Sequence, residues 1–203
     1  MIKAMHIDMA KRKEKTMASN NKTTFSNGTT PAQNKTRARK GTGGIVKITS
    51  YDMVLDAEGL PSLSVSNVSE YDGDGKLDTP AKTASMLRQC FRAHELAEEH
   101  VWLLCLNAKG NLTAVSDVSH GGYSESLVDP RPIFTRALLL GASHIILAHN
   151  HPSGDPTPSR CDIDASRTVD EAGKMLGCRL IDFLIVCRDR YCSFSEQGMI
   201  SRA

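Results

Sequence analysis

The sequence predicts an α/β fold, with one sandwich domain over residues 80–203. Short apolar runs typical of buried strands alternate with stretches of helical periodicity. Proline and glycine stand where these segments begin and end. A chain of 203 residues that is 40% hydrophobic can bury one substantial core but leaves little room for a second full domain.

Residues 1–44 are predicted to form a disordered basic tail. Residues 1–40 hold ten Lys/Arg against two acids, a net charge of +8, whereas residues 41–203 hold fifteen Lys/Arg against twenty-one acids, a net charge of −6. Few large apolar side chains are present in the tail to offset the entropy lost on ordering. Such an arm is compatible with DNA contact through the phosphates or with a solubilising extension. The second is favoured, because no aromatic side chain that could stack on bases is interleaved with the basic residues.

Residues 45–79 are predicted to be a linker with possible edge strands. Apolar and polar residues alternate between Ile45 and Val68 as they do in exposed strands. The following stretch, Glu70 to Ala81, has the oxygen donors and the sixth-place glycine of a calcium loop. Its twelfth place is Ala81 instead of a bidentate glutamate, which favours an Asp-Gly turn.

The remaining elements follow from periodicity and from helix start and stop signals. Asp129-Pro130 opens a helix that Gly141 ends, and Gly121-Gly122 forms a loop before it. The turn at 152–158 is rich in proline and glycine. The other predicted segments are a helix at 80–94, strands at 101–107 and 112–119, a strand from His144, a helix at 160–176, and strands at 179–187 and 190–194.

Composition also limits the cellular setting and the role of the cysteines. No run of 18 apolar residues occurs and the N-terminus lacks an apolar signal core, so we expect a cytoplasmic protein without membrane contact. The six cysteines include no C-x-x-C pair, and most lie in apolar runs. We therefore expect buried free thiols instead of disulfides or a structural metal site.

Three residues predict a metal site. His149 and His151 lie two apart at the end of a strand, so their side chains point to the same side of the sheet while Asn150 points away. Asp162 lies in the first turn of the next helix, which the intervening turn can fold back against the strand end. Taken alone, Ser159-x-x-Asp162 is also a capping box. Together, two histidines and a carboxylate predict a catalytic zinc site with an open fourth position.

The segment His149-Asn-His151-Pro-Ser-Gly-Asp-Pro-Thr-Pro-Ser159-Arg-Cys-Asp162 resembles the JAMM/MPN signature of the bacterial RadC-like proteins. The resemblance extends over about 80–203. It includes Glu99 before the strand Trp-Leu-Leu-Cys-Leu, Val128-Asp-Pro-Arg131, Glu171 to Gly177, and Tyr191 to Gly198. It implies a deaminase-like α/β/α sandwich with a mixed sheet. It also implies a zinc-dependent hydrolase of peptidase or isopeptidase type that acts on a peptide or protein substrate.

The resemblance also implies a role for each site residue. His149, His151 and Asp162 would hold Zn²⁺, Ser159 would donate a hydrogen bond to the developing oxyanion, and Glu99 would be the general base on zinc-bound water. Glu99 is chosen over Glu95 and Glu98 because its spacing before the apolar strand matches the family. A solvated charged face explains at least two of these three glutamates.

This chain departs from the family pattern at three positions that are not ligands. Asp129 stands where relatives often have histidine, Pro132 where they often have glutamate, and Phe183 where an Asp-His pair is usual. These differences bear on the substrate groove and on the groups around the metal more than on metal binding itself.

Two alternatives to the hydrolase remain open. One is a DNA-repair or recombination accessory that binds DNA through residues 1–44, which would give binding a steep salt dependence. The other is a zinc-holding interaction module without turnover. An HNH nuclease and a zinc deaminase are excluded, because His149-Asn-His151 is not spread over a ββα unit and the deaminase motifs are missing.

Overall fold

The computed structural model describes residues 44–120 and 129–200. The strands and helices within these ranges are β1 (Ile45–Leu55), β2 (Pro61–Asp72), α1 (Pro80–Phe91), β3 (His100–Leu106), β4 (Leu112–His120), α2 (Pro130–Leu139), β5 (His144–Asn150), α3 (Arg160–Leu176), β6 (Arg179–Val186) and β7 (Tyr191–Ser193).

All seven strands belong to one mixed sheet, in the order β2-β1-β4-β3-β5-β6-β7. The β1–β4 and β5–β6 contacts are parallel and the others antiparallel. Helix α1 packs on one face, where Met86 and Leu87 join a cluster with Trp102. Helices α2 and α3 pack on the other face, where Phe134 and Val169 are buried against the sheet. The predicted α/β/α sandwich with a mixed sheet is confirmed.

The two possible edge strands in residues 45–79 are long and belong to this sheet. Strand β1 pairs with β2 over its whole length and touches β4 at Ser50, which lies opposite Val115. Ile48 and Tyr71 are buried against α1 and the centre of the sheet. The weak alternation in the sequence reflects their edge position, because most of the β2 side chains remain exposed.

The helix ends agree with the sequence signals except at α1. The helix was predicted to run to residue 94 but ends at Phe91, because Arg92 adopts a left-handed conformation with φ 52°. Helix α3 matches its predicted bounds, starting after the capping residue Ser159 and ending before Gly177, which has φ 67°. Asp129 caps α2 by accepting a hydrogen bond from the Arg131 backbone.

The stretch with calcium-loop character forms a turn. The Asp74 carboxylate accepts from the backbone N–H of Lys76 at 3.0 Å and forms an ion pair with Lys82 at 3.2 Å. These contacts are those of the Asp-Gly turn favoured by the sequence.

The six cysteines are free thiols, as predicted from the sequence. Cys105, Cys178 and Cys187 are buried, Cys90 and Cys192 are half-buried, and Cys161 is exposed. Burial raises the pKa of the Cys105 thiol to about 12, so this side chain behaves as a small apolar group.

Two of the sequence predictions lie outside the described residues: the disordered basic tail with its possible DNA contact, and the Gly121-Gly122 loop. Within the ranges that the structure does describe, no helix has both the length and the apolar character needed to cross a lipid bilayer.

Candidate metal centre

Strand β5 places His149 and His151 at its carboxyl end, on the sheet face covered by α2 and α3. The alternation of the strand continues from the core residues Ile145 and Leu147 to His149. The His149 side chain is fully buried, whereas the His151 side chain is 13% exposed to solvent. The two rings meet edge to face, with 4.8 Å between their centroids. The inner histidine therefore belongs to the core and the outer one borders solvent.

Asp162 reaches the same point from the first turn of α3. Its carboxylate is fully buried and completes a capping box, in which Oδ2 accepts from the backbone N–H of Ser159 at 2.7 Å. The Asp162 N–H in turn donates to the Ser159 hydroxyl at 3.2 Å. The start of the helix thus fixes the position of the carboxylate.

The three predicted ligand residues form one group. His149 Nε2 lies 3.2 Å from Asp162 Oδ1, and His151 Nε2 lies 3.9 Å from Asp162 Oδ2. One ligand atom from each residue lies within 4.8 Å of the other two. Two imidazole nitrogens and a carboxylate oxygen therefore face one small volume, and this group could hold a metal ion.

The turn after β5 orients the His151 ring. His151 Nδ1 lies 2.7 Å from the backbone carbonyl of Asp155, and a carbonyl can only accept, so Nδ1 carries the proton. In the neutral ring the lone pair is then on Nε2, which faces Asp162. Gly154, with φ 78°, and the bonds from Thr157 to the Asp155 carboxylate shape this turn. The outer ring is thus held in the tautomer that a metal ligand needs.

Burial keeps His149 neutral. Removal from water lowers the pKa of the His149 imidazole to about 4, although the adjacent Asp162 carboxylate opposes the shift. A neutral imidazole is the form that binds a metal ion, so the ring is in its ligand form at neutral pH.

Glu99 lies beside this group. Antiparallel pairing sets Val101 opposite His149, and the same register continued by two residues sets Glu99 opposite His151. Burial raises the pKa of the Glu99 carboxyl; His151 opposes the shift and the Asp162 carboxylate adds to it. Its Oε2 atom is buried without a hydrogen-bond partner among the described residues. The Glu99 carboxyl therefore lies close enough to His151 and Asp162 to be affected by their charges.

Asn150 is a positioning residue that the sequence interpretation missed. It is 1% exposed and points to the opposite side of β5 from the histidines. Its Oδ1 accepts from the backbone N–H of His100 at 2.7 Å, and its Nδ2 donates to the carbonyl of Glu98 at 2.9 Å. The sequence did contain a signal for this role, namely an amide side chain in a buried strand. Such a group requires hydrogen-bond partners nearby.

Ser159 contacts the group through Asp162. Its hydroxyl donates to Asp162 Oδ2 at 2.7 Å while accepting from the Asp162 backbone N–H. The residue therefore caps α3 and orients a candidate ligand at the same time.

Phe183, one of the departures from the family pattern, packs against the inner histidine. Its ring centroid lies 5.5 Å from that of His149 and 4.9 Å from that of Phe194. This apolar ring packs against His149, whose burial lowers the pKa of its imidazole.

Comparison with known proteins points to the same family as the sequence motifs do. A family model described as "RadC-like JAB domain" matches residues 77–199. A UPF0758 protein of Syntrophomonas wolfei is 45% identical over 102 residues, which cover 50% of this chain and 43% of that protein. The chain thus spans less than half the length of this relative. A UPF0758 protein of Clostridium beijerinckii is 32% identical over 174 residues, covering 79% of this chain and 75% of that protein.

A further relative, a UPF0758 protein of Clostridium botulinum, is 38% identical over 125 residues and covers 62% of this chain and 54% of its own length. The matched family region begins just before α1 and contains all five predicted site residues. The resemblance predicted from the sequence motifs is confirmed. The chain belongs to the RadC-like JAB domain family.

Proposed function

We propose that the protein is a zinc-dependent hydrolase that cleaves an amide bond of peptide or isopeptide type. The observation that carries the proposal is the convergence of His149, His151 and Asp162 beside the Glu99 carboxylate. The buried His149 imidazole is neutral, and hydrogen bonds orient Asp162 and His151, which supports a metal site over a chance cluster of polar residues.

The ligand group fits zinc. Zinc is bound by imidazole nitrogen and carboxylate oxygen at ~2.0–2.2 Å, so two ligand atoms on a tetrahedral ion lie about 3.4 Å apart. His149 Nε2 lies 3.2 Å from Asp162 Oδ1 and His151 Nε2 lies 3.9 Å from Oδ2 of the same carboxylate, separations of the same order. Three protein ligands leave one position open, which is typical of catalytic sites and not of closed structural ones.

A bound zinc ion supplies Lewis acidity, which lowers the pKa of water and polarises a carbonyl group. Glu99 accepts the proton of the attacking water and returns it to the leaving amine, acting first as general base and then as general acid. Desolvation raises the pKa of its carboxyl, which improves the match to proton transfer near neutral pH.

The remaining residues bind and orient. Ser159 donates its single hydroxyl hydrogen to the Asp162 carboxylate. To donate instead to the oxyanion that develops on the substrate carbonyl, the hydroxyl would rotate away from Asp162, which would keep its bond from the Ser159 backbone N–H. The Asp155 carbonyl holds His151, and Asn150 holds the strand segment that carries Glu99.

A cleavage screen with matched variants tests the proposal. The zinc-loaded protein is incubated with quenched fluorescent libraries of linear and lysine-branched peptides. We expect cleavage by the wild type, loss of cleavage with retained zinc in Glu99→Gln, and loss of both in His149→Ala. Glu98→Gln is the matched control, because that exposed side chain lies one residue from Glu99 and its carbonyl alone contacts Asn150.

The same variants distinguish a hydrolase from a zinc-holding interaction module. If zinc is bound in stoichiometric amount but Glu99→Gln cleaves as fast as the wild type, the role proposed for Glu99 is wrong. If the wild type binds zinc and cleaves neither type of peptide, the module is the better description.

A further inference from the structure

A pocket adjoins the candidate metal centre. Its volume is about 330 Å³, and it is lined by the turn that follows β5 (151–154), by the turn between β6 and β7 (188–190), and by His94. His151 therefore belongs both to the ligand group and to the pocket wall. A pocket of this size is at the small end for ligand sites and fits one side chain.

The pocket walls are held by backbone contacts from arginines. Arg88 on α1 donates through Nε to the carbonyl of Cys187 at 2.9 Å and through a terminal nitrogen to the carbonyl of Arg190 at 2.7 Å. Arg190 in turn donates to the carbonyl of Gly154 at 3.0 Å. The Arg190 bond joins the two turns and the Arg88 bonds tie one of them to α1, so the shape of the pocket is established before a ligand arrives.

The charge of the lining is positive on balance. Arg188 and Arg190 carry two positive charges, and Asp189 is the acid among the lining residues. Arg188 forms no ion pair or hydrogen bond with the described residues, although its charge acts on the Glu95 carboxylate, which forms an ion pair with Arg92. Asp155 also lies near Arg190, but its carboxylate accepts two hydrogen bonds from Thr157. Arg188 therefore remains available to an incoming anion.

We propose that this pocket receives a carboxylate side chain of the substrate, so that the enzyme prefers acidic peptides with glutamate or aspartate next to the cleaved bond. The inference rests on the proposed hydrolase function, because the preference is defined relative to that bond. Arg188 is the residue assigned to select the substrate, and Arg190 mainly maintains the pocket wall.

A binding measurement tests the preference without requiring turnover. Two labelled peptides of equal length are used, one alternating alanine with glutamate and the other alanine with glutamine, against full-length, zinc-loaded Glu99→Gln protein. We expect the glutamate peptide to bind more tightly, and Arg188→Gln to remove about fivefold of that advantage. Arg167→Gln is the control, because it removes the same charge from an exposed position on α3.

Equal binding of the two peptides, or an equal loss of affinity in Arg167→Gln and Arg188→Gln, would overturn the pocket assignment. The outcome is separable from that of the hydrolase proposal. If the glutamate peptide binds selectively through Arg188 but the wild type cleaves no peptide, the hydrolase proposal is wrong and the assignment of the pocket to a carboxylate stands. If the wild type and Arg188→Gln both cleave acidic and neutral peptides at equal rates, the hydrolase proposal stands and the pocket assignment is wrong.

Discussion

Asn150 holds the chain on both sides of Glu99, accepting from the N–H of the residue after it and donating to the carbonyl of the residue before it. One side chain of β5 thus fixes the start of β3, where the proposed general base lies. Since Asn150 itself faces away from the ligand group, it acts on the site only through the backbone.

The first prediction concerns this contact. Asn150→Ala removes two part-buried hydrogen bonds to backbone groups, so we expect the free energy of unfolding to fall by about 2 kcal/mol. Misplacement of Glu99 should lower kcat roughly tenfold to a hundredfold, with KM and zinc content little changed.

Asn107→Ala is the matched control. Asn107 is also an asparagine that holds backbone groups, accepting from Lys109 and Asn111 in the turn after β3, away from the ligand group. A similar fall in kcat in both variants would show that Asn150 matters only for stability.

The second prediction separates the two roles of Ser159. Ser159→Ala removes a helix cap, for which we expect a loss of about 1 kcal/mol of stability, and also the hydroxyl bond to Asp162. Zinc affinity should fall about tenfold or more, as measured by competition with a chelating dye. Thr79→Ala removes the equivalent cap from α1 and should leave zinc affinity unchanged.

The third prediction concerns the ligand group as a whole. Zinc should raise the melting temperature of the wild type, because an ion that binds the folded state at a thousandfold excess over Kd adds about 4 kcal/mol of stability. A chelator should reverse the shift. His149→Ala should abolish it, whereas His144→Ala, at the other end of β5, should retain it. A zinc shift that persists in His149→Ala would place the ion elsewhere.

The fourth prediction is a pH dependence from Asp182. Burial raises the pKa of this carboxyl, although the Ser193 hydroxyl and the N–H groups of Ser195 and Phe183 donate to it and oppose the shift. The folded state therefore holds the Asp182 proton more tightly than the unfolded state does. Its contribution to stability is greatest below the unfolded pKa and is lost as pH rises through the folded pKa.

Asp182→Asn cannot titrate and provides the reference. Chemical denaturation across the acid range should show the stability of the wild type, relative to Asp182→Asn, falling as pH rises towards neutrality. A constant difference, or one that grows with pH, would contradict the role assigned to burial.

The sequence predicted the central elements and the ligand group because their signals are local. A two-residue spacing places His149 and His151 on one side of a strand, and a capping box places Asp162 at a helix start. The edge strands were harder to predict, since an exposed strand lacks a strong apolar pattern, and β1 and β2 gain their stability from each other.

Long-range contacts could not be predicted from the sequence. The pairing of β3 with β5, which brings Asn150 to Glu98 and His100, joins positions about fifty residues apart. Likewise, the pocket beside His151 depends on Arg88 reaching a turn about a hundred residues later. Neither contact has a local signature, because each depends on the order of strands in the sheet.

Asp162 closes the capping box of α3 with the same carboxylate that belongs to the ligand group. Protection of the first-turn amides from hydrogen exchange should therefore change when a metal ion binds, without any change in the rest of the helix. Evolution cannot improve the start of this helix and the affinity of the ion independently, because a single side chain determines both. A variant selected for thermal resistance alone would be expected to alter other helix starts and to leave this one unchanged.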